Sequence, residues 1–177
     1  MTAYVAMLRG INVGGHGKVS MVDLRAAFSD MGHGEVRTYI QSGNVLFDAS
    51  APAAKLQPAL ERGLVARLGL GIKVVVRSQA QLRRIIDGNP LAAGKRDRTK
   101  LHVTFLGAKP AVSRPSALEA DAFLPDEFRV TGQEVYLYCP DGYGRTKLNN
   151  TFLERAFRVT ATTRTWKTVT TLADMAG

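Results

Sequence analysis

Hydrophobic strands and amphipathic helices alternate regularly along the first half of the chain. The run AYVAMLR predicts a buried strand, and apolar residues recur at helical spacing over 21–31, behind a cap at Ser20. Two further strands, EVRTYIQ and NVLFDA, precede a helix marked by the leucines of 56–68 and a strand, IKVVVR. The predicted order is βαββαβ, the ferredoxin-like unit, in which both helices pack on one face of an antiparallel sheet.

The second half of the chain shows a looser version of this pattern. The helix SQAQLRRIIDG precedes the strand LHVTFLG, the Pro-bounded segment PSALEADAFL, which we expect to form a short helix, and the hairpin FRVTGQEVYLYC. A helix over 148–157 and a final helix near WKTVTTLADMA complete a second, βαββα unit. The pattern therefore predicts an α+β fold of two ferredoxin-like (α/β plait) subdomains, residues 1–78 and 79–177.

This topology places two polar, glycine-rich segments at the same end of the first sheet. The chain leaves strand one at Arg9 and later returns along strand two, parallel to strand one, so RGINVGG and QSGN should be neighbours. Asn12, Ser42 and Asn44 would then converge with glycine amides at a place where no side chain crowds a ligand. The simpler alternative is that SGN only forms a tight turn and the glycines only supply positive φ angles.

Composition indicates a folded, basic protein of cytoplasmic type. The 177 residues are 45% hydrophobic and 22% charged, enough for a core and not typical of disorder. The start MTAYVAMLRG has no basic leader, and Arg67 and Lys73 interrupt the apolar stretch GLVARLGLGIKVVV, so no membrane association is expected. The single cysteine, Cys139, excludes an internal disulfide and shares strand phase with buried-type neighbours, which predicts burial.

The net charge of +9 comes entirely from the middle of the chain. Residues 51–110 carry twelve Lys and Arg against three Asp and Glu, and the densest piece is the predicted loop GKRDRTK, 94–100. Exposed cations could contact nucleic-acid phosphates, or they could form an ordinary solvated face. Aromatic residues make up only 7% of the chain and no RNP-like strand is present, which weakens the nucleic-acid alternative.

Established catalytic and nucleotide-binding motifs do not fit. A Walker A loop would need Lys where His16 stands and Ser or Thr where Gly17 stands, and the dinucleotide fingerprint fails at Ser20. No G-x-S-x-G elbow is present, and His16, His33 and His102 are too widely spaced to indicate a metal site. The sequence thus supports no particular reaction, and we expect neither a metal nor a cofactor.

Two C-terminal stretches carry further phosphate-type donors. CPDGYGRTKLNN brings Arg145 and Lys147 to the start of a helix, and TTRTWKTV places Arg164 beside the only tryptophan, Trp166. A tryptophan next to arginine can stack on a base or a sugar, but at the start of an amphipathic helix it is more typical of a core anchor. The threonines of 162–165 would then simply cap that helix.

Four ordered stretches, YVAMLRGINVGG, VRTYIQSGNVLF, GRTKLNN and TTRTWKTV, resemble the bacterial domain-of-unknown-function family 1697. The resemblance implies two ferredoxin-like subdomains and no established activity, substrate or cofactor. The family usually has Asn between the Arg and Trp of the last stretch, where this chain has Thr165.

Because the stretches that carry the resemblance are rich in Gly, Asn, Ser, Thr and Arg, we interpret them as a binding site for an anionic small ligand, such as a nucleotide or a phosphometabolite. Glycine amides would receive anionic oxygens, arginines and lysines would supply charge-assisted bonds, and asparagines would orient the polar remainder. The alternatives are a nucleic-acid-binding module using 51–110 and an enzyme without a short motif. The candidate ligand-binding residues are Arg9, Asn12, Gly14, Gly15, Lys18, Ser42, Gly43, Asn44, Arg145, Lys147, Arg164 and Trp166.

Overall fold

A computed structural model describes residues 1–15 and 17–177, and the first half of the chain folds in the order that its hydrophobic pattern predicts. Ser20 caps the first helix as expected, because its Oγ accepts a hydrogen bond from the Asp23 amide at 3.0 Å. The elements are β1 (Thr2–Leu8), α1 (Met21–Asp30), β2 (Gly34–Tyr39), β3 (Asn44–Ala49), α2 (Ala53–Leu68) and β4 (Val74–Ser78).

The first sheet has the strand order β2-β3-β1-β4, with every neighbouring pair antiparallel. Since β1 and β2 both run antiparallel to β3, they are parallel to each other, as the ferredoxin-like prediction requires. Alternate residues of β1, such as Ala6 and Leu8, join one apolar core with residues of both helices, such as Phe28 and Leu60. That core holds α1 and α2 on one face of the sheet and so fixes where the chain leaves β1.

The second half contains a sheet of the same order, β6-β7-β5-β8, also antiparallel throughout. The segment PSALEADAFL contributes only a short 3-10 helix, Ala120–Phe123, where the first unit has α1. The elements of this half are α3 (Gln79–Asp87), β5 (Leu101–Leu106), β6 (Glu127–Thr131), β7 (Glu134–Tyr138), α4 (Asn150–Phe157), β8 (Ala161–Thr165) and α5 (Trp166–Met175).

Strand β8 corrects the predicted βαββα order of the second half. The pattern predicts no strand at residues 162–165 and allows their threonines to cap the last helix, yet Ala161–Thr165 pairs antiparallel with β5. Threonine is a good strand former, but three threonines and an arginine give no alternation of apolar and polar residues, so the pattern concealed the strand. With β8 in place, both halves of the chain are complete four-stranded ferredoxin-like sheets.

The two fourth strands end in the same way. Arg77 in β4 and Arg164 in β8 are both buried, and each donates from Nη1 to the carbonyl of the preceding residue at 3.0 Å. The next residues, Ser78 and Thr165, each use the hydroxyl to accept the amide three positions further on, at 3.2 Å. The two halves therefore share a strand-to-helix junction as well as a strand order.

By its internal contacts the chain divides into two units, residues 1–83 with 172–177 and residues 84–171. The last six residues belong to the first unit, where the Met175 carbonyl accepts from Arg37 Nη2 at 2.7 Å and Asp174 pairs with Arg83 at 2.9 Å. Among the described residues, no helix combines the length and the apolar character needed to cross a lipid bilayer.

The buried cysteine yields a direct test of the second unit's core. Cys139 is fully buried, as its strand phase predicted, and burial raises the pKa of its thiol to about 11, with the Asp126 charge acting in the same direction. We expect a disulfide reagent at pH 8 to label native Cys139 about a hundredfold more slowly than the denatured chain. The thiol also contributes a loss of stability as pH rises from its ordinary pKa of 9.0 toward 11, because only the unfolded chain releases the proton there. Equal labelling rates in the native and denatured states would contradict this packing.

Candidate functional site

The exit of β1 and the turn between β2 and β3 lie next to each other, which confirms the adjacency expected from topology. The Leu8 amide donates to the Gly43 carbonyl at 2.9 Å. Asn12 Nδ2 donates to the Gln41 carbonyl at 2.8 Å. The glycine-rich loop, residues 9–18, is therefore joined to the turn at two points, and His16 within it lies outside the described residues.

Asn12 organises the base of this loop. Besides the bond to Gln41, its Nδ2 donates to the Val19 carbonyl at 3.1 Å, and its Oδ1 accepts from the Val19 amide at 2.9 Å. Its backbone is left-handed, with φ of 54°, a conformation that asparagine adopts more readily than most residues. Because both amide hydrogens of the side chain go to backbone carbonyls, Asn12 holds the loop in position, a different role from orienting a ligand.

The turn residues serve the packing of the turn itself. Gly43 is buried with φ of +84°, and a Cβ there would lie 2.5 Å from Ile11 Cδ1 and 3.1 Å from Leu8 Cβ. Asn44 is fully buried, and its Nδ2 donates to the Tyr39 carbonyl at 3.0 Å and to Ser42 Oγ at 3.1 Å. Gly43 thus packs against the apolar end of β1 and Asn44 bonds within the turn, which are the structural roles that the simpler alternative describes.

The open side of the loop carries a shallow pocket of about 360 Å³. Among its described lining residues only Lys18, which is exposed, carries a formal charge. The pocket lies at the N-terminus of α1, where the helix dipole favours negative charge. Arg9 and Gly14 belong to the same loop without lining the pocket. Its lining residues are Asn12, Gly15, Lys18, Val19, Ser20 and Gln41.

Sequence reasoning missed Val19, Ser20 and Gln41 as lining residues. In sequence Ser20 reads as a helix cap, and Gln41 lies in the turn QSGN with nothing to mark it as a lining residue. The predicted adjacency of the loop and the turn could have identified Ser20 and Gln41. A residue that follows the loop or begins the turn, and that faces solvent, lines the space between the two segments.

Arg145 and Lys147 lie in the second unit, where both are exposed. They line a smaller cavity of about 130 Å³ together with Asp126 and Asp141. Two carboxylates beside two cations make this cavity close to neutral overall. It is therefore a weaker attractor for an anion than the pocket beside the glycine-rich loop, whose described lining residues include Lys18 and no carboxylate.

Arg164 and Trp166 belong to the second unit, and both are buried. Arg164 Nη1 donates to Thr162 Oγ1 at 2.8 Å, and burial lowers the pKa of its guanidinium to about 10, an effect that Tyr143 opposes. Trp166 is only 6% exposed, in line with the core-anchor alternative. Thr165 caps α5, so the position where the family usually has Asn serves the helix start here.

The described histidines pack against aromatic rings. His33 lies 4.8 Å from the ring of Phe47, His102 stacks at 4.9 Å on Tyr143, and burial lowers the pKa of both imidazoles. Within residues 1–15 and 17–177, no three His, Cys, Asp or Glu side chains come together as metal ligands would.

The basic segment 51–110 is partly neutralised by its own folding. Lys73 pairs with Glu61 at 3.1 Å, Arg83 with Asp174 at 2.9 Å and Arg96 with Glu127 at 2.8 Å. Arg77 is buried, and Arg67 donates to the Asp30 carbonyl at 3.0 Å. A phosphate backbone would therefore compete with these carboxylates for three of the segment's cations, and Arg77 is out of its reach.

The protein belongs to the α+β class and consists of two ferredoxin-like units, the first of which has a glycine-rich loop at the end of its sheet. The model of the family described as "Protein of unknown function (DUF1697)" matches residues 1–136, and the chain belongs to this family. The stretches GRTKLNN and TTRTWKTV lie beyond the matched residues.

Among solved structures, the chain is similar to that of the conserved bacterial protein SP0830 from Streptococcus pneumoniae. The two are 23% identical, the TM-score is 0.73, and the alignment covers 99% of each chain, a likeness that shows the fold. A search of curated proteins gives no significant match.

Proposed function

We propose that this protein binds an anionic small ligand, a nucleotide or a phosphorylated metabolite, in the pocket between the glycine-rich loop 9–18 and the turn at Gln41. The observation that carries the proposal is the pocket itself, which opens at the N-terminus of α1 and has the cation Lys18 among its lining residues. The binding role is proposed without an assigned reaction.

Size and backbone geometry support a small ligand. The volume of about 360 Å³ lies at the lower end of the range for small-molecule sites. Gly15 brings main chain to the pocket wall with φ of +79° and no side chain, so a phosphate oxygen can approach the backbone closely. The first amides of α1 have no acceptor within the helix and add a partial positive charge at the same end.

The side chains divide into two roles. Lys18 would supply a charge-assisted bond to the ligand, whereas Asn12 would keep the loop and the turn at a fixed separation through its bonds to Val19 and Gln41. Ser20 Oγ already accepts the Asp23 amide, and the same hydroxyl would donate its hydrogen to an anionic oxygen of the ligand. Loss of Lys18 should therefore weaken binding without unfolding the loop.

Thermal shift against a panel of ATP, GTP, inorganic phosphate and uncharged adenosine tests the proposal. We expect at least one phosphate compound at millimolar concentration to raise Tm by a few degrees, adenosine to have no effect, and Lys18→Gln to abolish the rise. Lys55→Gln, an exposed lysine of α2, is the matched control and should retain it. A rise that survives in Lys18→Gln, or a panel without any rise, would contradict the proposed site.

A further inference from the structure

The second unit has a groove at the place where the first unit carries a helix. Between β1 and β2 the chain forms α1, whereas between β5 and β6 it forms an extended segment with one short 3-10 helix. A groove of about 480 Å³ remains between that segment and β6. Leu118, Phe128 and Val130 give it an apolar floor, and Arg114 and Arg129 lie at its border.

Strand β6 is also the edge of its sheet. Among the described strands it pairs with β7 alone, in register from Glu127 to Thr131. Because hydrogen-bonded pairs alternate along an antiparallel ladder, every second residue of an edge strand directs its amide and carbonyl away from the sheet. The Phe128 carbonyl is one of these, since it accepts a hydrogen bond from Arg129 Nη1 at 2.8 Å on the exposed side.

Successive side chains of β6 point to opposite faces of the sheet, so its apolar and charged residues lie on different faces. Phe128 and Val130 are half-buried and pack against the core of the unit, and Arg129, between them, is exposed on the opposite face. A strand added beside β6 would alternate in the same way, with one set of side chains over the apolar floor and the other set beside Arg129. Glu127, the carboxylate of β6, is already bound to Arg96 and leaves the edge positively charged.

We propose that the edge of β6 and its groove bind an extended acidic peptide in which carboxylates alternate with aliphatic residues. Main-chain bonds to Phe128 and Val130 would add the peptide to the sheet, aliphatic side chains would enter the groove, and carboxylates would pair with Arg129 and Arg114. A second copy of this chain fits less well, because two such edges would bring arginines together in a protein of net charge +9.

A titration of isotope-labelled protein with a short peptide of alternating Glu and Val tests this site. We expect the backbone amide signals of Phe128 and Val130 to shift in the NMR spectrum on one saturable curve. The same peptide methylated on every second backbone nitrogen should bind at least about tenfold more weakly, because methylation blocks strand pairing. Arg114→Glu with Arg129→Glu should weaken binding by about tenfold or more, whereas Arg155→Glu, an exposed arginine of α4, should leave it unchanged.

Several outcomes would overturn the proposal. Absence of shifts along β6 would mean that Arg129 protects the edge from pairing. Equal binding of the methylated peptide would exclude strand addition, and equal binding of an alternating Lys and Val peptide would exclude recognition by charge. A short oligonucleotide that shifts the same signals and binds with higher affinity than the peptide would assign the groove to nucleic acid instead.

Discussion

Asn12→Ala will lower the free energy of unfolding by about 2–3 kcal/mol, a large effect for a partly buried loop residue. The substitution removes three hydrogen bonds, to Val19 twice and to Gln41 once, each worth about 0.5 kcal/mol net in this partly exposed loop. It also places alanine at φ of 54°, where L-residues other than asparagine and aspartate pay about 1 kcal/mol more. Urea denaturation followed by circular dichroism measures the loss.

Two further variants at this position separate the causes. Asn12→Gly removes the hydrogen bonds but tolerates the left-handed backbone, so it should cost less than Asn12→Ala despite the greater freedom of its unfolded chain. Asn12→Asp keeps an acceptor for the Val19 amide and loses the two donors. If Asn12→Ala changes the free energy of unfolding by less than about 0.5 kcal/mol, the loop is not held by this side chain.

Gly43→Ala will lower the free energy of unfolding by about 3 kcal/mol. The new Cβ would lie 2.5 Å from Ile11 Cδ1 and 2.8 Å from Ile11 Cγ1, distances that force either the isoleucine or the turn to move. Ile11 is 2% exposed and has little room to shift. The φ of +84° adds a backbone cost that no movement of Ile11 relieves.

A double-mutant cycle distinguishes the steric cost from the backbone cost. Ile11→Ala alone should cost about 2–4 kcal/mol, because it removes a buried side chain. Combined with Gly43→Ala, it should cost at least about 1 kcal/mol less than the sum of the single changes, since the atoms that clash are then absent. Additive costs would show that Gly43 and Ile11 are not in contact, and the account of the turn would be wrong.

The sequence was sufficient to predict the fold where hydrophobic periodicity is clear. In the first half, period-two strands and period-3.6 helices give the βαββαβ order, and from that order follows the adjacency of the loop 9–18 and the turn at 42–44. In the second half, the pattern did not predict β8, because Thr162, Thr163 and Thr165 surround a buried arginine. A strand whose inward side chains are polar has no apolar alternation to recognise.

The location of the candidate site could be predicted from the sequence, but most of the contacts that its side chains make could not. Topology brings Asn12 to Gln41, but only the folded backbone shows that the asparagine amide is used by Val19 and Gln41. Residue type alone could not tell an exposed cation from a buried one, so Lys18 and Arg164 looked equivalent in sequence. Burial depends on which strand face a side chain occupies, and that face was unknown while β8 was unrecognised.

Assigned NMR signals followed during a titration with ATP test the central claim most directly, namely that the pocket beside the glycine-rich loop receives an anion. The account predicts that the amides of Gly15, Lys18, Ser20 and Gln41 shift together on one saturable curve, and that Lys18→Gln removes the curve while Lys55→Gln retains it. Shifts confined to other parts of the chain, with these four signals unmoved at millimolar ATP and inorganic phosphate, would contradict it.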